Sequence, residues 1–229
     1  MRGRFITFEG TEGSGKSTQI ALLAERLCGL GCIVRILREP GGTPIGEEIR
    51  HTLKHSKNNA AMTAETELLL MNASRAQIVR EVIRPALAEG EIVLCDRFYD
   101  STTAYQGYGR GLALSEVKGI VDFAVGETRP DLTLFLFIPP EVSEQRRLAR
   151  QGTLPFMRDR IEESDRHFFA RVAEGYEAVL KAEPDRVRRI EAAGPIETVR
   201  AAIWEEVAPL MPIMPEHTWK RDRGPYLSR

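Results

Sequence analysis

Gly10-Thr11-Glu12-Gly13-Ser14-Gly15-Lys16-Ser17 fits the pattern GxxxxGK[ST] outright. It follows Arg4-Phe5-Ile6-Thr7-Phe8, which reads as a strand. It precedes a stretch in which Ile20, Leu23, Ala24 and Leu27 recur at the i, i+3, i+4, i+7 spacing of one buried helical face. Strand, glycine-rich turn and helix are the context this motif needs. The glycines let backbone N–H groups turn inward around phosphate oxygens, and the helix N-terminus adds a partial positive charge. Lys16 adds a full charge, and the Ser17 hydroxyl can hold Mg²⁺. Residues 10–18, including Thr18, therefore read as a nucleotide phosphate site.

Working outward, short β-type runs alternate with longer helix-period segments, the pattern of a parallel sheet flanked by helices. Further strands are expected over residues 32–37, 92–95, 132–138 and 187–190, which makes an α/β fold with five strands. Gly29 and Gly31 stop the first helix, and Arg38-Glu39-Pro40-Gly41-Gly42 must be a loop. A short helix carries Ile45, Ile49 and Leu53, and residues 54–59 read as a surface loop. Thr63 is placed to cap a long helix over 64–88 that is interrupted or kinked at Pro85. Helices are also expected over 115–125, 141–150, 159–181 and 195–207.

The 229 residues suit one domain, read as a body over 1–208 and an extension over 209–229 where periodicity is lost. Thirty-two Lys+Arg against 33 Asp+Glu leave a formal charge of −1, which argues against a nucleic-acid partner. Cys28, Cys32 and Cys95 are odd in number and sit in apolar-periodic segments, as expected of reduced, structural thiols in a cytoplasmic protein. No apolar run is long enough to span a bilayer, and no signal peptide is read.

In an open parallel sheet ligands bind beyond the carboxyl ends of the strands. Glu9, Arg38-Glu39 and Asp96-Arg97 occupy those positions. Asp96 could act on Mg²⁺ directly or through water, and Arg97 offers a planar fork for a phosphate; a strand-capping Asp-Arg pair is the plain alternative. In the long helix, Arg75 shares a stripe with Met71, Ile78 and Val82, so it either snorkels past the core edge or is aimed at a ligand. Residues 146–171 carry seven arginines around Gly152-Thr153-Leu154-Pro155. Helix, hinge and arginines suit a mobile lid over about 146–160, although interspersed acids could make several of them a solvated helix face. Arg150 is the first candidate ligand there, followed by Arg158 or Arg160.

Together, FEGTEGSGKST (8–18), REPGG (38–42), SRAQ (74–77), DRFYDSTTAYQG (96–107), RPDLTLFL (129–136) and DRIE (159–162) resemble bacterial thymidylate kinases, in the same order over about residues 4–205. The resemblance implies a P-loop NTPase fold of the nucleoside monophosphate kinase type, working as a homodimer. It also implies phosphoryl transfer from ATP, with Mg²⁺, to dTMP. Carried over by position, Lys16 and Ser17 would hold ATP phosphates and Mg²⁺, Asp96 would support the metal and its waters, and Arg97 would clamp the dTMP phosphate. Arg75 would bond the thymine edge, and Glu12 would face the sugar-phosphate. Ser101, Thr102, Tyr105 and Gln106 would line the nucleoside, and Glu39 and Pro40 would close the acceptor side. An acid at position 12 with arginines in the lid resembles the variant whose lid supplies the catalytic arginine, here Arg150.

Two positions depart from the family pattern: Met71 stands where a thymine-stacking Phe is usual, and Phe137 where an Asp is common. The lid also looks a few residues longer than usual. Met71 keeps open a kinase for another acceptor such as UMP or CMP. An ATP-binding switch with no acceptor is the reading from a different class.

Overall fold

Strands β1 (Arg4–Glu9), β3 (Ile92–Asp96) and β4 (Leu132–Phe137) are buried along nearly their whole length, which explains their near-continuous apolar sequences: helices cover both faces. The outer strands β2 (Val34–Arg38, VRILR) and β5 (Val187–Glu191, VRRIE) interleave arginines, as befits sheet edges. The five pair in parallel in the order β2-β3-β1-β4-β5. The computed structural model describes residues 2–153 and 166–211.

Alternation decides what each face meets. Ile6 and Phe8 of β1 point to one side with Leu94, Leu134 and Leu136, where α1 (Lys16–Gly29) packs through Leu23 and Leu27 and α9 (Ile196–Val207) through Ile203. Phe5, Val93 and Cys95 point to the other, under Ile78 of α3 (Ala64–Ile78) and Val121 of α6 (Leu114–Val125). A third cluster joins Phe135 of β4 to Phe168, Val172 and Tyr176 of α8 (Arg166–Ala182). The three cysteines are free thiols.

Local signals account for several helix ends. Thr43 caps α2 (Pro44–His55) by accepting from Gly46 N–H at 3.0 Å, with Pro44 at the first helical position. Thr63 caps α3 as expected, accepting from Thr66 N–H at 3.3 Å. The long helix is not broken at Pro85. It runs from α3 through a π-helical stretch, Val79–Ile83, into α4 (Arg84–Ala88), and widening the turn just ahead of the proline accommodates its missing N–H and its ring. Strand β2 starts two residues later than expected because Cys32 still donates its N–H to Leu27 O at the end of α1.

Sequence periodicity left residues 96–107 without an element, yet the chain forms α5 (Tyr99–Thr102) and a π-helical run Thr103–Gly109. Adjacent Thr102 and Thr103, with Gly107 and Gly109, are weak helix formers, so tertiary contacts hold this segment. Asp100, almost fully buried, takes a two-pronged bond from Arg186 at 2.8 and 2.9 Å. Helix α8 lies so close that a Cβ on Gly175 would sit 2.8 Å from Ala104 Cα.

Phe137, at the end of β4, lies under the Arg189 guanidinium of β5 at 3.6 Å from the ring centroid and edge-on to Phe135. The aromatic ring thus closes the sheet end by cation–π contact. Helix α7 (Pro140–Thr153) begins where Pro139-Pro140 ends the strand. The expected helix over 159–181 is described only from Arg166. Residues 154–165, which include the expected lid from 154 to 160 with Arg158 and Arg160, and residues 212–229 of the C-terminal extension lie outside the described residues. Among the described residues no helix is long and apolar enough to cross a membrane.

Candidate active site

The strand order brings the carboxyl ends of β2, β3 and β1 side by side. Arg38 is in register with Asp96, and Asp96 with Phe8, while Glu39 N–H donates to Asp96 O at 3.0 Å and Arg97 N–H to Phe8 O at 2.9 Å. Three chemically loaded loops therefore meet at one end of the sheet, although about 30 to 90 residues separate them along the chain.

The loop after β1 wraps back on itself. Gly10 has φ 137°, and a Cβ there would lie 2.5 Å from Leu136 O, so only glycine fits both the dihedral and the space. Lys16 reaches across the turn, donating to Gly10 O and Thr11 O at 3.1 Å each and to Ser14 Oγ at 3.5 Å. Burial, and then the neighbouring Arg97 charge, push its ammonium pKa down. Ser143 and Arg146 of α7 hold the loop from outside: Ser143 Oγ donates to Glu12 O at 2.7 Å, and Arg146 Nη1 to Gly13 O at 3.0 Å. Arg146 is thus tied to backbone carbonyls. Arg150 belongs to the same helix, and its side chain lies outside the described ones.

Ser17 Oγ and Asp96 Oδ2 are 3.1 Å apart at the start of α1. A hydroxyl and a carboxylate are hard oxygen donors, and among the described residues no cluster of three His, Cys, Asp or Glu side chains could form an all-protein metal cage. That donor set fits a divalent ion such as Mg²⁺ shared with substrate phosphates and water.

Arg97 has the positive φ of 69°, the sole non-glycine residue with one among those described. This unusual backbone turns its side chain back across the end of the sheet. Nη1 donates to Ser101 Oγ at 3.1 Å and Tyr176 Oη at 3.0 Å, and Nη2 to Glu12 at 2.9 Å and Tyr105 Oη at 3.3 Å. Burial works against the Glu12 carboxylate, but the charges of Arg97 and Lys16 outweigh it and hold the group well below the usual carboxylate range. Beneath Arg97, the fully buried Glu9 accepts from Phe98 N–H at 2.7 Å, Ser101 Oγ at 2.5 Å and Tyr176 Oη at 3.1 Å. Burial, with the Asp100 charge second, pushes its pKa up to about 7.

That shift has a testable consequence for stability. A carboxyl group titrating near 4.5 in the unfolded chain and near 7 in the folded one binds more proton when folded, so stability falls as pH rises through that window. Glu9→Gln removes the titration. The stability of the variant relative to the wild type should rise by up to about 3 kcal/mol between pH 4.5 and pH 8. Urea unfolding at the two pH values checks this, and a pH-independent difference would contradict it.

A pocket of about 600 Å³, partly open to solvent, adjoins this network. Its walls include Glu12 and Arg97 and the residues expected to line the acceptor: Glu39, Pro40, Met71, Arg75, Ser101, Thr102, Tyr105 and Gln106. The structure adds Lys54, Phe98 and Phe169. Arg75 does not snorkel; it is 2% exposed and donates four hydrogen bonds from its three nitrogens. Nε donates to Glu39 Oε2 at 2.8 Å with Nη2 ion-paired to the same oxygen at 2.7 Å, Nη1 donates to Asn72 and Thr102 at 2.9 Å each, and Nη2 donates to Phe98 O at 3.3 Å. Burial raises the Glu39 pKa, and its Oε1 is buried without a hydrogen-bond partner.

Sequence reasoning missed Tyr176 and Glu67. Tyr176 lies on an apolar stripe with Phe168 and Val172, which reads as core, and its polar tip is visible only once α8 is docked. Glu67 gave no signal in an acidic helix start.

A phosphate loop on a central parallel strand, an oxygen-donor pair at the helix start and a second pocket walled by arginine across the crevice define a P-loop nucleoside monophosphate kinase. Comparison with known proteins narrows this. The family model described as Thymidylate kinase matches residues 8–203. Thymidylate kinase of Pseudomonas savastanoi pv. phaseolicola (strain 1448A / Race 6) is 49% identical over 203 residues, covering 89% of this chain and 94% of that one. Thymidylate kinase of Synechococcus sp. (strain JA-2-3B'a(2-13)) is 46% identical over 209 residues, covering 91% and 96%. The crystal structure of thymidylate kinase from Ehrlichia chaffeensis superposes with a TM-score of 0.72 at 32% identity, covering 91% of this chain and 99% of that one. The chain belongs to the thymidylate kinase family. The readings as a kinase for another acceptor and as an ATP-binding switch are not favoured.

Proposed function

We propose that this chain transfers the γ-phosphoryl group of ATP to dTMP, giving ADP and dTDP, with the ATP phosphates over residues 10–18 and dTMP in the pocket walled by Arg97. The observation that carries it is that the charges of Arg97, bonded to Glu12 at 2.9 Å, and of the nearby Lys16 both act on Glu12, so that two cations converge where the phosphates of donor and acceptor would meet. The attacking oxygen belongs to a phosphate largely ionised near neutral pH, so no general base is needed. The protein's work is alignment and charge neutralisation.

Lys16 would exchange Gly10 O and Thr11 O for phosphate oxygens as ATP enters. Arg97 would turn its fork from Glu12 to the dTMP phosphate, while Tyr176 and Ser101 hold its other nitrogen. Ser17 and Asp96 would hold Mg²⁺, which would supply charge neutralisation at the ATP phosphates. Tyr105, Ser101 and Gln106 would line the nucleoside. Arg75 could reach the thymine edge by exchanging its bond to the freely rotating Thr102 hydroxyl. Arg150 would add a cation from the lid side.

We also read the chain as a homodimer. Leu69 on α3 and Phe123 on α6 are 56% and 82% exposed, and these two helices pack together, so a second copy could cover both. Sedimentation of wild type against Phe123→Lys tests this.

An ADP-release assay over dTMP, UMP, CMP and AMP tests the activity. The highest kcat/KM is expected for dTMP, and equal or better turnover of another acceptor would sink the assignment. In the same assay Met71→Phe should lower KM for dTMP severalfold, because a ring gives the base a flat, ordered surface where Met offers a flexible one. An unchanged KM would show that position 71 does not touch the base.

A further inference from the structure

Glu67 is a fully buried carboxylate that the proposed mechanism leaves unused. It sits in the first turn of α3, one turn before Met71 and two before Arg75, and its side chain has no exposed surface. Its Oε1 accepts from Gln106 Nε2 at 2.7 Å and from Arg110 Nε at 3.2 Å, and its Oε2 accepts from Arg110 Nη2 at 3.0 Å. Gln106, 2% exposed, is at the same time part of the pocket wall.

A glutamine amide can be turned either way, offering a donor or an acceptor at nearly the same place. An ionised carboxylate accepts only. Glu67, held as the partner of Arg110, therefore fixes Nε2 on its own side and leaves the carbonyl oxygen, Oε1, as the group Gln106 can turn to the pocket. Thymine presents a donor at N3; cytosine presents a lone pair there. We infer that Glu67, locked by Arg110, is a positioning residue that sets the amide orientation of Gln106 and so makes the pocket select a base with an N3–H donor over one with an N3 acceptor. The inference rests on the reading of Gln106 as a base ligand. It adds a specificity element reaching the base through one intermediary, and mismatched polar edges of this kind discriminate strongly because each leaves a buried group unpaired.

The test is a double-mutant cycle read as the ratio of kcat/KM for dTMP to that for dCMP. Glu67→Gln has nearly the same shape but can donate as well as accept, which frees the Gln106 amide to turn over. It should lower the ratio at least tenfold, mainly through KM. Gln106→Leu should lower it as well, and adding Glu67→Gln to Gln106→Leu should cost nothing further. A Gln106→Leu variant with an unchanged ratio would remove Gln106 as a base ligand and with it the ground for the inference. If Gln106→Leu lowers the ratio but Glu67→Gln leaves it within twofold, or lowers it equally in the Gln106→Leu background, Glu67 does not act through Gln106. An NMR readout on the wild type does not depend on a variant at position 67. The Gln106 Nε2 protons, assigned by their absence in Gln106→Leu, should shift little on addition of dTMP because they face Glu67; a shift as large as those of the pocket's backbone amides would overturn the inference.

Discussion

Arg97→Ala should lower kcat/KM for dTMP by on the order of 10³-fold, the size seen when a single charge-stabilising group is removed from a phosphoryl-transfer site. The guanidinium lies 2.9 Å from Glu12 and is held by Tyr176, Ser101 and Tyr105, so its position is set before any ligand arrives. A preset cation costs no reorganisation in the transition state, and both kcat and KM should suffer, because the acceptor phosphate keeps its charge throughout. Arg97→Lys should recover only a small part. An ammonium keeps the charge but cannot bond Tyr176 on one nitrogen and a phosphate on another. Steady-state kinetics on both variants, with circular dichroism to show that they are folded, checks this; near-normal transfer by Arg97→Ala would retire the role assigned to it.

Lys16→Met is expected to reduce kcat by about 10²–10³-fold, for the same electrostatic reason on the donor side. Its effect on stability should have the opposite sign. Without nucleotide, the buried Lys16 ammonium rests on carbonyls of its own loop, and burial together with the Arg97 charge disfavours its charged form. Methionine keeps the stem and discards that charge, so the Tm of the nucleotide-free variant should equal or exceed that of the wild type. The rise in Tm on adding ATP should be largely lost, since binding to the folded state is what produces it. A thermal shift experiment with and without ATP separates the two effects. A nucleotide-free variant that melts well below the wild type would show that Lys16 is structural.

Much of the site was legible because it is built on sequence-local chemistry. The loop at 10–17 must turn in a way only glycines permit, and it must be followed by a helix, so motif and structure cannot part company. Glu39, Asp96 and Arg97 could be singled out because each lies within two residues of the end of an apolar run, and the ends of parallel strands are where ligands bind. Residues 99–109 resisted the same reading because two threonines and two glycines give no helical period. What makes them helical is Arg186 gripping Asp100 and α8 lying against Ala104 at Gly175, contacts across more than 65 residues of chain.

The sequence by itself determined the phosphate loop and the α/β alternation, because each depends on backbone freedom or on periodicity within a few residues, whereas the expected acceptor wall came from the resemblance to a known family. Only the tertiary structure decided the order β2-β3-β1, which inserts the third strand between the first two and so sets Glu9, Glu39 and Arg97 side by side. It alone brought Tyr176 under Arg97 and Glu67 behind Gln106. A polar tip on an apolar stripe carries no local mark of its partner; the hydrogen bond that gives it meaning exists only after two distant helices have packed.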